Sequence, residues 1–286
     1  MSILSINNVS KWFDNSNGRT EVLKDINLQV AEGEFVAIVG FTGSGKSTLI
    51  NMIAGLTSPS AGEILLKGKP ITGPGHDRSV IFQNYSLLPW LTVYDNIMMA
   101  VNEVYPTWDK SQKDQHVLDM IEMVNLSHAK GKLPKELSGG MRQRTSVARA
   151  LSMNPDLLLM DEPLGALDAL TRGNLQEEIL NIWSKDKKTA LLITNDVDEG
   201  IFMADRIIPL NPGPNATLGP EFIIDIERPR DKTALNDHVG YKKLRNGLIE
   251  YLMDLGAQHK SDAKEQLLLP DIQPNPPKRK FFFRRA

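Results

Sequence analysis

The segment GFTGSGKST, residues 40–48, restricts the possible folds of this chain more than any other feature. It fits the pattern G-x-x-x-x-G-K-[ST], with an apolar run before it that predicts a strand and a helical pattern after it. Phosphate groups must be desolvated to be held, and backbone N–H groups at a helix start can do this. The motif therefore predicts a nucleoside-triphosphate site. The alternative is a glycine-rich turn that happens to contain Lys-Ser.

Each loop residue has an expected task in such a site. Glycines let the chain curl without Cβ clashes. Lys46 is expected to reach the β- and γ-phosphates, and the hydroxyl of Ser47 is expected to bind Mg²⁺. The residues predicted to surround the nucleotide phosphates are Gly40, Thr42, Gly43, Ser44, Gly45, Lys46, Ser47 and Thr48.

A second polar site follows the apolar run LLLM, where the chain continues with Asp161, Glu162 and Pro163. The carboxyl ends of strands in open α/β sheets are where ligands bind. Asp161 suits the Mg²⁺ shell, through water, and Glu162 suits the base that polarises an attacking water. The alternative is that Asp-Glu-Pro merely ends a strand, since proline cannot continue the ladder.

Composition excludes several classes of protein. The 286 residues carry a formal net charge of −2, which argues against a dedicated nucleic-acid binder. The chain has no cysteine, so disulfides and thiolate metal sites are excluded. The N-terminal residues lack a secretory-signal pattern, and no apolar run approaches the roughly 20 residues of a membrane helix. We expect any membrane association to be peripheral.

The order of apolar and polar stretches predicts an α/β fold. Strands are expected at 2–9, 22–30, 34–39, 62–66, 79–82, 157–160 and 189–194, and helices at 47–55, 116–124 and 169–186. The strand–helix–strand order over 157–194 predicts a right-handed parallel βαβ unit. Beyond a loop at 211–220, we predict a strand at 222–226 and a helix at 235–256. Residues 271–286 are proline-rich and then basic, which predicts an extended or disordered tail.

The sequence LSGGMRQR, residues 137–144, resembles the signature sequence of ATP-binding-cassette (ABC) ATPases. A helix follows it, so Ser138, Gly139 and Gly140 form a second phosphate-ready helix start; a plain N-cap is the alternative. The resemblance implies a P-loop cassette over residues 1–210, with a mixed or parallel sheet core, an antiparallel β subdomain and a helical subdomain near 86–150. A short C-terminal α/β extension, 211–270, follows. The resemblance also implies head-to-tail dimers, in which the signature sequence of one cassette completes the ATP site of its partner.

The same resemblance implies roles for five further positions. Phe13 corresponds to the aromatic residue that stacks on adenine, with Trp12 less favoured and a core role for either as the alternative. Gln83 resembles the glutamine that senses Mg²⁺ and the attacking water, and Asp168 matches the D-loop at the dimer seam. Asn195 stands where the family has a switch histidine. An amide has a shorter reach than imidazole and cannot become protonated, so the site built on this chain is expected to be impaired.

The apolar loop that follows Gln83 contains Leu87, Leu88, Pro89 and Trp90. It is interpreted as a groove for a helix of a membrane subunit, with a local core as the alternative. This stretch resembles importers of nitrate, sulfonate, taurine and bicarbonate, and within them the smaller ATP-binding subunit of cyanobacterial nitrate/nitrite importers. The resemblance implies an ATPase with ATP and Mg²⁺ on the cytoplasmic face of the inner membrane. The implied partners are a homologous ATP-binding subunit, two permease subunits and, indirectly, a periplasmic solute-binding protein.

Other functions stay open. A bicarbonate or sulfonate importer is one, because no residue of this subunit is expected to contact the anion. A regulatory ATP clamp with a weak site of its own is favoured by Asn195 and opposed by Glu162. A soluble ABC protein of translation or DNA repair is disfavoured by the single phosphate loop. The basic residues of the tail, 278–286, suggest contact with anionic lipid, against a solvated end.

Overall fold

The computed structural model describes residues 2–15 and 18–266, with side chains over 2–14 and 18–257. The strands are Ser2–Asn15 (β1), Gly18–Ala31 (β2), Phe35–Gly40 (β3), Ala61–Leu66 (β4), Lys69–Pro70 (β5), Arg78–Ile81 (β6), Leu157–Asp161 (β7), Thr189–Thr194 (β8), Arg206–Leu210 (β9) and Phe222–Ile223 (β10). The helices are Lys46–Ile53 (α1), Val93–Val104 (α2), Lys110–Met123 (α3), Gly139–Ser152 (α4), Ala169–Asp186 (α5), Val197–Met203 (α6), Lys232–Leu235 (α7) and Val239–Gln266 (α8).

A six-stranded sheet organises the molecule, in the order β10-β9-β3-β8-β7-β6. Its strands pair in parallel except at the edge, where β10 runs antiparallel to β9. The parallel pairing of β7 with β8 agrees with the predicted βαβ unit. Because carboxyl ends of parallel strands meet at one edge, the segments after β3, β8, β7 and β6 come together there in that order.

The central sheet separates two hydrophobic cores, and β3 contributes to both. Phe35, Ala37 and Val39 pack with the helical region on one face. Val36 and Ile38 pack on the other face with α1 and the antiparallel sheet β2-β1-β4-β5. All six residues of β3 are buried, which is the pattern of a parallel strand covered on both faces. The strand that leads into the phosphate loop is therefore held rigidly.

Several predicted boundaries were wrong. β1 and β2 are longer than predicted, because they pair from Ser2 opposite Ala31 to Asn15 opposite Gly18. The strand expected at 222–226 is only two residues long, since it pairs at the sheet edge with β9 alone. The helix expected at 235–256 is α8, which begins at Val239 and continues to Gln266, whereas Leu235 ends the separate short helix α7. His238 Nδ1 accepts a hydrogen bond from the backbone N–H of Tyr241 at the start of α8.

Among the described helices, none combines the length and the apolar character that crossing a bilayer requires. The prediction of a basic tail at 271–286, its suggested lipid contact, and the end of the C-terminal extension at 267–270 lie outside the described residues.

Candidate functional site

The glycine-rich turn between β3 and α1 leaves the helix start without a side-chain cap. Gly43 and Gly45 have φ angles of 84° and 98°, which glycine adopts without a Cβ clash. At Gly45 an added Cβ would also lie 2.9 Å from Leu23 Cδ2. Ser44 Oγ is buried and has no hydrogen-bond partner among the described residues. A phosphate group would complete this arrangement, because it accepts hydrogen bonds from uncapped N–H groups and hydroxyls.

Lys46 is the buried cation of the site, with 4% of its side chain exposed. Its Nζ donates to the carbonyl oxygens of Gly40 at 3.0 Å and Phe41 at 2.9 Å. It also donates to Asn195 Oδ1 at 2.6 Å and lies 3.5 Å from Glu162 Oε1. Burial lowers the pKa of Lys46, and the carboxylate of Glu162 opposes that shift. The ammonium group is therefore fixed where the loop, β7 and β8 meet.

The two carboxylates at the end of β7 have different surroundings. Ser47 Oγ donates to Asp161 Oδ1 at 3.1 Å. Burial raises the pKa of Asp161, and the charge of Glu162 adds to the rise, while Ser47 and Lys46 oppose it. Glu162 has a φ of 45°, a left-handed backbone that costs of order 1–3 kcal/mol outside glycine. Its N–H donates to Ile193 O at 2.8 Å, which holds the carboxylate beside Lys46.

The hydroxyl and carboxylate of Ser47 and Asp161 suit a magnesium ion. No group of three or more His, Cys, Asp or Glu side chains able to hold a metal exists within the described residues. Mg²⁺ does not need one, because it binds through one or two protein oxygens plus waters and substrate phosphates. The donors present therefore fit Mg²⁺ delivered with a nucleotide.

The phosphate loop borders an open cleft of about 1040 Å³, which Gly40, Ser44 and Asp161 do not line. Glu162, Asn195 and an exposed Gln83 line it together with the phosphate loop. A Cβ added to Gly165 would lie 3.6 Å from Gln83 Nε2, an ordinary contact. A small side chain at this position would therefore fit without displacing Gln83. The predicted residues that line it are Thr42, Gly43, Gly45, Lys46, Ser47, Thr48, Gln83, Glu162 and Asn195.

The signature segment lies elsewhere on the chain's surface. Ser138 is exposed and caps α4, where its Oγ accepts from Met141 N at 3.3 Å. A Cβ on Gly140 would lie 2.7 Å from Thr171 Cγ2, so the start of α4 packs closely on α5. Asp168 caps α5 by accepting from Thr171 N at 3.0 Å, and this bonding lowers the pKa of its carboxyl group. The signature residues and Asp168 are not among the residues that line the cleft.

The two aromatic residues of β1 differ in their surroundings. Phe13 is 43% exposed, and Lys11 Nζ lies 5.0 Å from its ring centroid. The guanidinium of Arg19 lies 4.4 Å from the Trp12 ring centroid. Neither aromatic is among the residues that line the cleft. The exposed face of Phe13 is compatible with stacking on a flat ring, and its adenine contact stays a prediction.

Sequence reasoning missed part of the cleft wall. Arg245 and Ile249, from α8, line it, and nothing in the motifs pointed to the C-terminal extension. The acidic run at the start of α6 was a usable signal, because it directly follows Asn195 at a strand end. The further lining residues are Val22, Leu164, Gly165, Arg172, Thr194, Asp196, Val197, Asp198 and Glu199.

A parallel sheet, a glycine-rich turn and a buried lysine at its edge define a P-loop nucleotide-binding protein. A family model described as ABC transporter matches residues 23–165. The chain is 45% identical over 251 residues to the bicarbonate transport ATP-binding protein CmpD of Synechocystis sp., covering 88% of this chain and 89% of that protein. It is 46% identical over 244 residues to the nitrate import ATP-binding protein NrtD of Synechococcus elongatus, covering 85% and 89%.

The fold is also similar to a solved dimer of the ATP-binding cassette MJ0796 bound to ADP and Pi. The TM-score is 0.71 at 29% identity, over 78% of this chain and 100% of that one. The chain belongs to the ABC transporter family. It is an ATP-binding subunit and an ATPase of that family, which confirms the predicted fold class and family.

Proposed function

We propose that this subunit powers import of a small inorganic oxyanion, nitrate or nitrite, by hydrolysing ATP in the cleft around Lys46. The observation that carries the proposal is the 46% identity to NrtD over 89% of that protein, together with the intact phosphate loop. Bicarbonate is the second candidate, because CmpD is similar to the same extent. The anion itself has no reason to touch this subunit, which works at the cytoplasmic face of the membrane.

The residues of the cleft divide the chemistry among them. Lys46 and the loop N–H groups hold the β- and γ-phosphates, and Lys46 exchanges its bonds to Asn195 and the loop carbonyls for phosphate oxygens. Glu162 polarises the attacking water as general base. Ser47, Asp161 and Gln83 would hold Mg²⁺, which neutralises phosphate charge when bound. Asn195 would donate its amide to the γ-phosphate.

A second cassette is needed to complete this site. The signature residues Ser138 and Gly139 lie outside the cleft, although their helix start is suited to an anion. We infer that they act in the site of a homologous ATP-binding subunit, as Asp168 does at the seam. The amide of Asn195, in place of a switch histidine, favours a heterodimer. A homodimer of this chain would contain two weakened sites, whereas a heterodimer would contain one.

A regulatory ATP clamp is the other candidate for the subunit's own site. Asn195, whose Oδ1 lies 2.6 Å from Lys46 Nζ, favours it, because its amide has no titratable nitrogen and cannot replace a histidine that becomes protonated. Glu162 opposes it, because the general base is present beside Lys46. In this version the subunit binds ATP and closes on its partner, and most hydrolysis occurs in the partner's site.

The loop 83–92 offers a docking surface for a membrane subunit. Trp90 is 70% exposed, so it does not form a local core, while Leu87 and Leu88 are half-buried. Asn96 is buried and bonds the backbone of Leu88, Leu91 and Thr92, which fixes the loop. A largely apolar groove of about 480 Å³ lies between the elements that flank the loop, and Leu87, Leu88, Pro89 and Trp90 are not among the residues that line it. Its apolar lining includes Ala54, Leu56, Pro74, Phe82, Met99 and Met153.

Replacing Trp90 with glutamate tests this docking surface. We expect assembly with the permease subunits to weaken by about tenfold or more, because a charge at the centre of an apolar contact is left desolvated. Nucleotide binding should not change. The control is Val239→Glu, since Val239 is 80% exposed on α8 and remote in sequence. Copurification and transport in vesicles are the measurements, and a Trp90→Glu complex that assembles and transports normally would contradict the docking role.

The heterodimer proposal predicts that the same substitution has unequal effects in the signature sequences of the two subunits. Ser138→Arg in this chain should lower transport by about tenfold or more, because losing one donor to developing phosphate charge costs at least that much. The equivalent substitution in the partner should cost less, since it damages the site that already contains Asn195. Initial uptake rates of the two complexes give the comparison. Equal losses, or an active complex containing two copies of this chain and no other cassette, would rule out the asymmetry.

A further inference from the structure

The C-terminal helix α8 is built into the fold beside the cleft. Tyr241 and Leu248 are buried, at 8% and 0% exposure, and Leu244 and Leu252 pack against the same core. These positions recur at helical spacing, so one face of α8 is anchored. The neighbouring residue Arg245 lines the nucleotide cleft. The helix therefore brings a cation to the cleft from outside the segment that carries the motifs.

Arg245 and Tyr241 both form hydrogen bonds with the carboxylate of Asp198. Arg245 Nε lies 2.6 Å from Asp198 Oδ1, and Nη2 lies 3.3 Å from Oδ2. The Tyr241 hydroxyl donates to Oδ1 at 2.7 Å. Burial and this bond raise the pKa of Tyr241 to about 12, so the hydroxyl keeps its proton. A two-pronged guanidinium contact plus a hydroxyl fixes direction better than a single ion pair.

Asp198 is joined to Asn195 by a short, bonded turn. Asp196 caps α6 by accepting from the N–H groups of Asp198 at 2.9 Å and Glu199 at 3.2 Å. Asp196 N donates to Thr194 Oγ1 at 3.0 Å, and that hydroxyl also bonds the buried carboxylate of Glu199. The turn is thus tied to β8 at one end and to α8 at the other, and Arg172 of α5 lies 3.6 Å from Asp196 Oδ2 between them. A shift of Asp198 would move Asn195.

Asn195 itself has little else to hold it. The residue is exposed, and the side-chain bond the structure gives it is the one to Lys46 Nζ at 2.6 Å. The lysine of such a loop reaches the β- and γ-phosphates. When Lys46 turns to a bound nucleotide, its bond to Asn195 is therefore lost. The position of the Asn195 amide then depends on the backbone of residues 194–198, and hence on the contact between Asp198 and α8.

We propose that Arg245 and Tyr241 are positioning residues that hold the Asn195 amide against the γ-phosphate through Asp198, so that the C-terminal extension sets the preference for ATP over ADP. The inference rests on the proposed function, in which Asn195 contacts the γ-phosphate. ADP lacks that group, so its affinity does not depend on the arrangement.

The test measures affinities of the full chain for ADP and for a non-hydrolysable β,γ-imido analogue of ATP, by calorimetry with Mg²⁺. Asn195→Ala should reduce the analogue-to-ADP preference by about tenfold, the worth of one hydrogen bond to a charged group. Arg245→Ala and Tyr241→Phe should each reduce it by about twofold to fivefold, as expected for a partly exposed contact. The double variant Asn195→Ala/Arg245→Ala should match Asn195→Ala alone, because both act through one amide.

Controls separate this role from simple stabilisation. Lys242→Ala removes an exposed cation from the same helix and should leave both affinities unchanged, and Arg245→Lys should restore part of the preference. Equal losses for both nucleotides in Arg245→Ala, additive effects in the double variant, or an unchanged preference would each overturn the inference. Loss of all binding in Lys46→Ala with an unaltered preference in Asn195→Ala would keep the nucleotide site and reject both this inference and the contact of Asn195 with the γ-phosphate. An altered preference in Asn195→Ala with an unaltered one in Arg245→Ala would reject this inference alone.

Discussion

Replacing Lys46 with alanine is expected to lower the affinity for MgATP by about a hundredfold or more, the worth of a desolvated, charge-assisted contact to two phosphates. The ammonium group is the buried cation at the point where β3, β7 and β8 end, with four oxygen atoms within 3.5 Å. Without it, Glu162 and Asp161 would face the triphosphate with no neutralising charge from the loop. Titration calorimetry with MgATP gives the measurement.

Lys67→Ala is the matched control. Lys67 forms a surface ion pair with Asp156 at 2.6 Å and is half-exposed, so its loss should cost at most about 1 kcal/mol of stability and leave nucleotide affinity unchanged. Thermal unfolding without nucleotide shows whether the Lys46 variant is folded. A folded Lys46→Ala protein with parental MgATP affinity would mean that the glycine-rich turn is not the phosphate site.

The sequence predicts the central fold well because its strands are buried on both faces. The strands predicted at 34–39, 157–160 and 189–194 contain the continuous apolar runs FVAIV, LLLM and ALLI, and the structure has β3, β7 and β8 at these places. The edges are predicted less well. The lengths of β1 and β2 depend on their antiparallel pairing over a long hairpin. The two-residue length of β10 depends on its position at the edge of the sheet. Such pairings arise from tertiary contacts, which local patterns do not contain.

The candidate site follows from the sequence where backbone conformation and strand order determine it. Gly43 and Gly45 predict a turn with left-handed backbone angles. The ends of the parallel strands place Lys46, Glu162, Asn195 and Gln83 along one edge of the sheet. The similarity of the motifs also identifies the family. The roles proposed for Ser138 and Asp168 are at an interface between two chains. In the single chain both residues are exposed and do not line the cleft.

The contribution of α8 had no sequence signal. Its apolar spacing predicts a helix but not the surface on which that helix lies. Arg245 reads as one of many surface cations until packing of Tyr241 and Leu248 brings it to Asp198. The bond between Lys46 and Asn195 is likewise a tertiary contact, across 149 residues of chain. A motif identifies the residue types at a site, and only the fold shows which of them are held together.

Glu162→Gln is expected to slow hydrolysis at this chain's site by about a hundredfold or more, the usual contribution of a general base. The amide has nearly the shape of the carboxylate, so the left-handed backbone at φ 45° and the hydrogen bond from Glu162 N to Ile193 O are retained. Lys46 and the loop still hold the phosphates. ATP should therefore stay bound, and the closed pair of cassettes should persist in MgATP instead of reopening after hydrolysis.

The measurement requires isolation of this site. In a complex whose partner cassette carries the corresponding substitution at its own base, single-turnover hydrolysis reports on Glu162 alone, and size-exclusion chromatography in MgATP reports closure. Glu63→Gln is the control, because Glu63 is an exposed carboxylate on the antiparallel sheet, where it accepts from Asn7 Nδ2 at 3.2 Å. Parental turnover in the isolated site would place the base elsewhere. A slowed site that releases ATP would show that Glu162 serves mainly to orient Lys46, since the phosphate clamp would then have failed together with the chemistry.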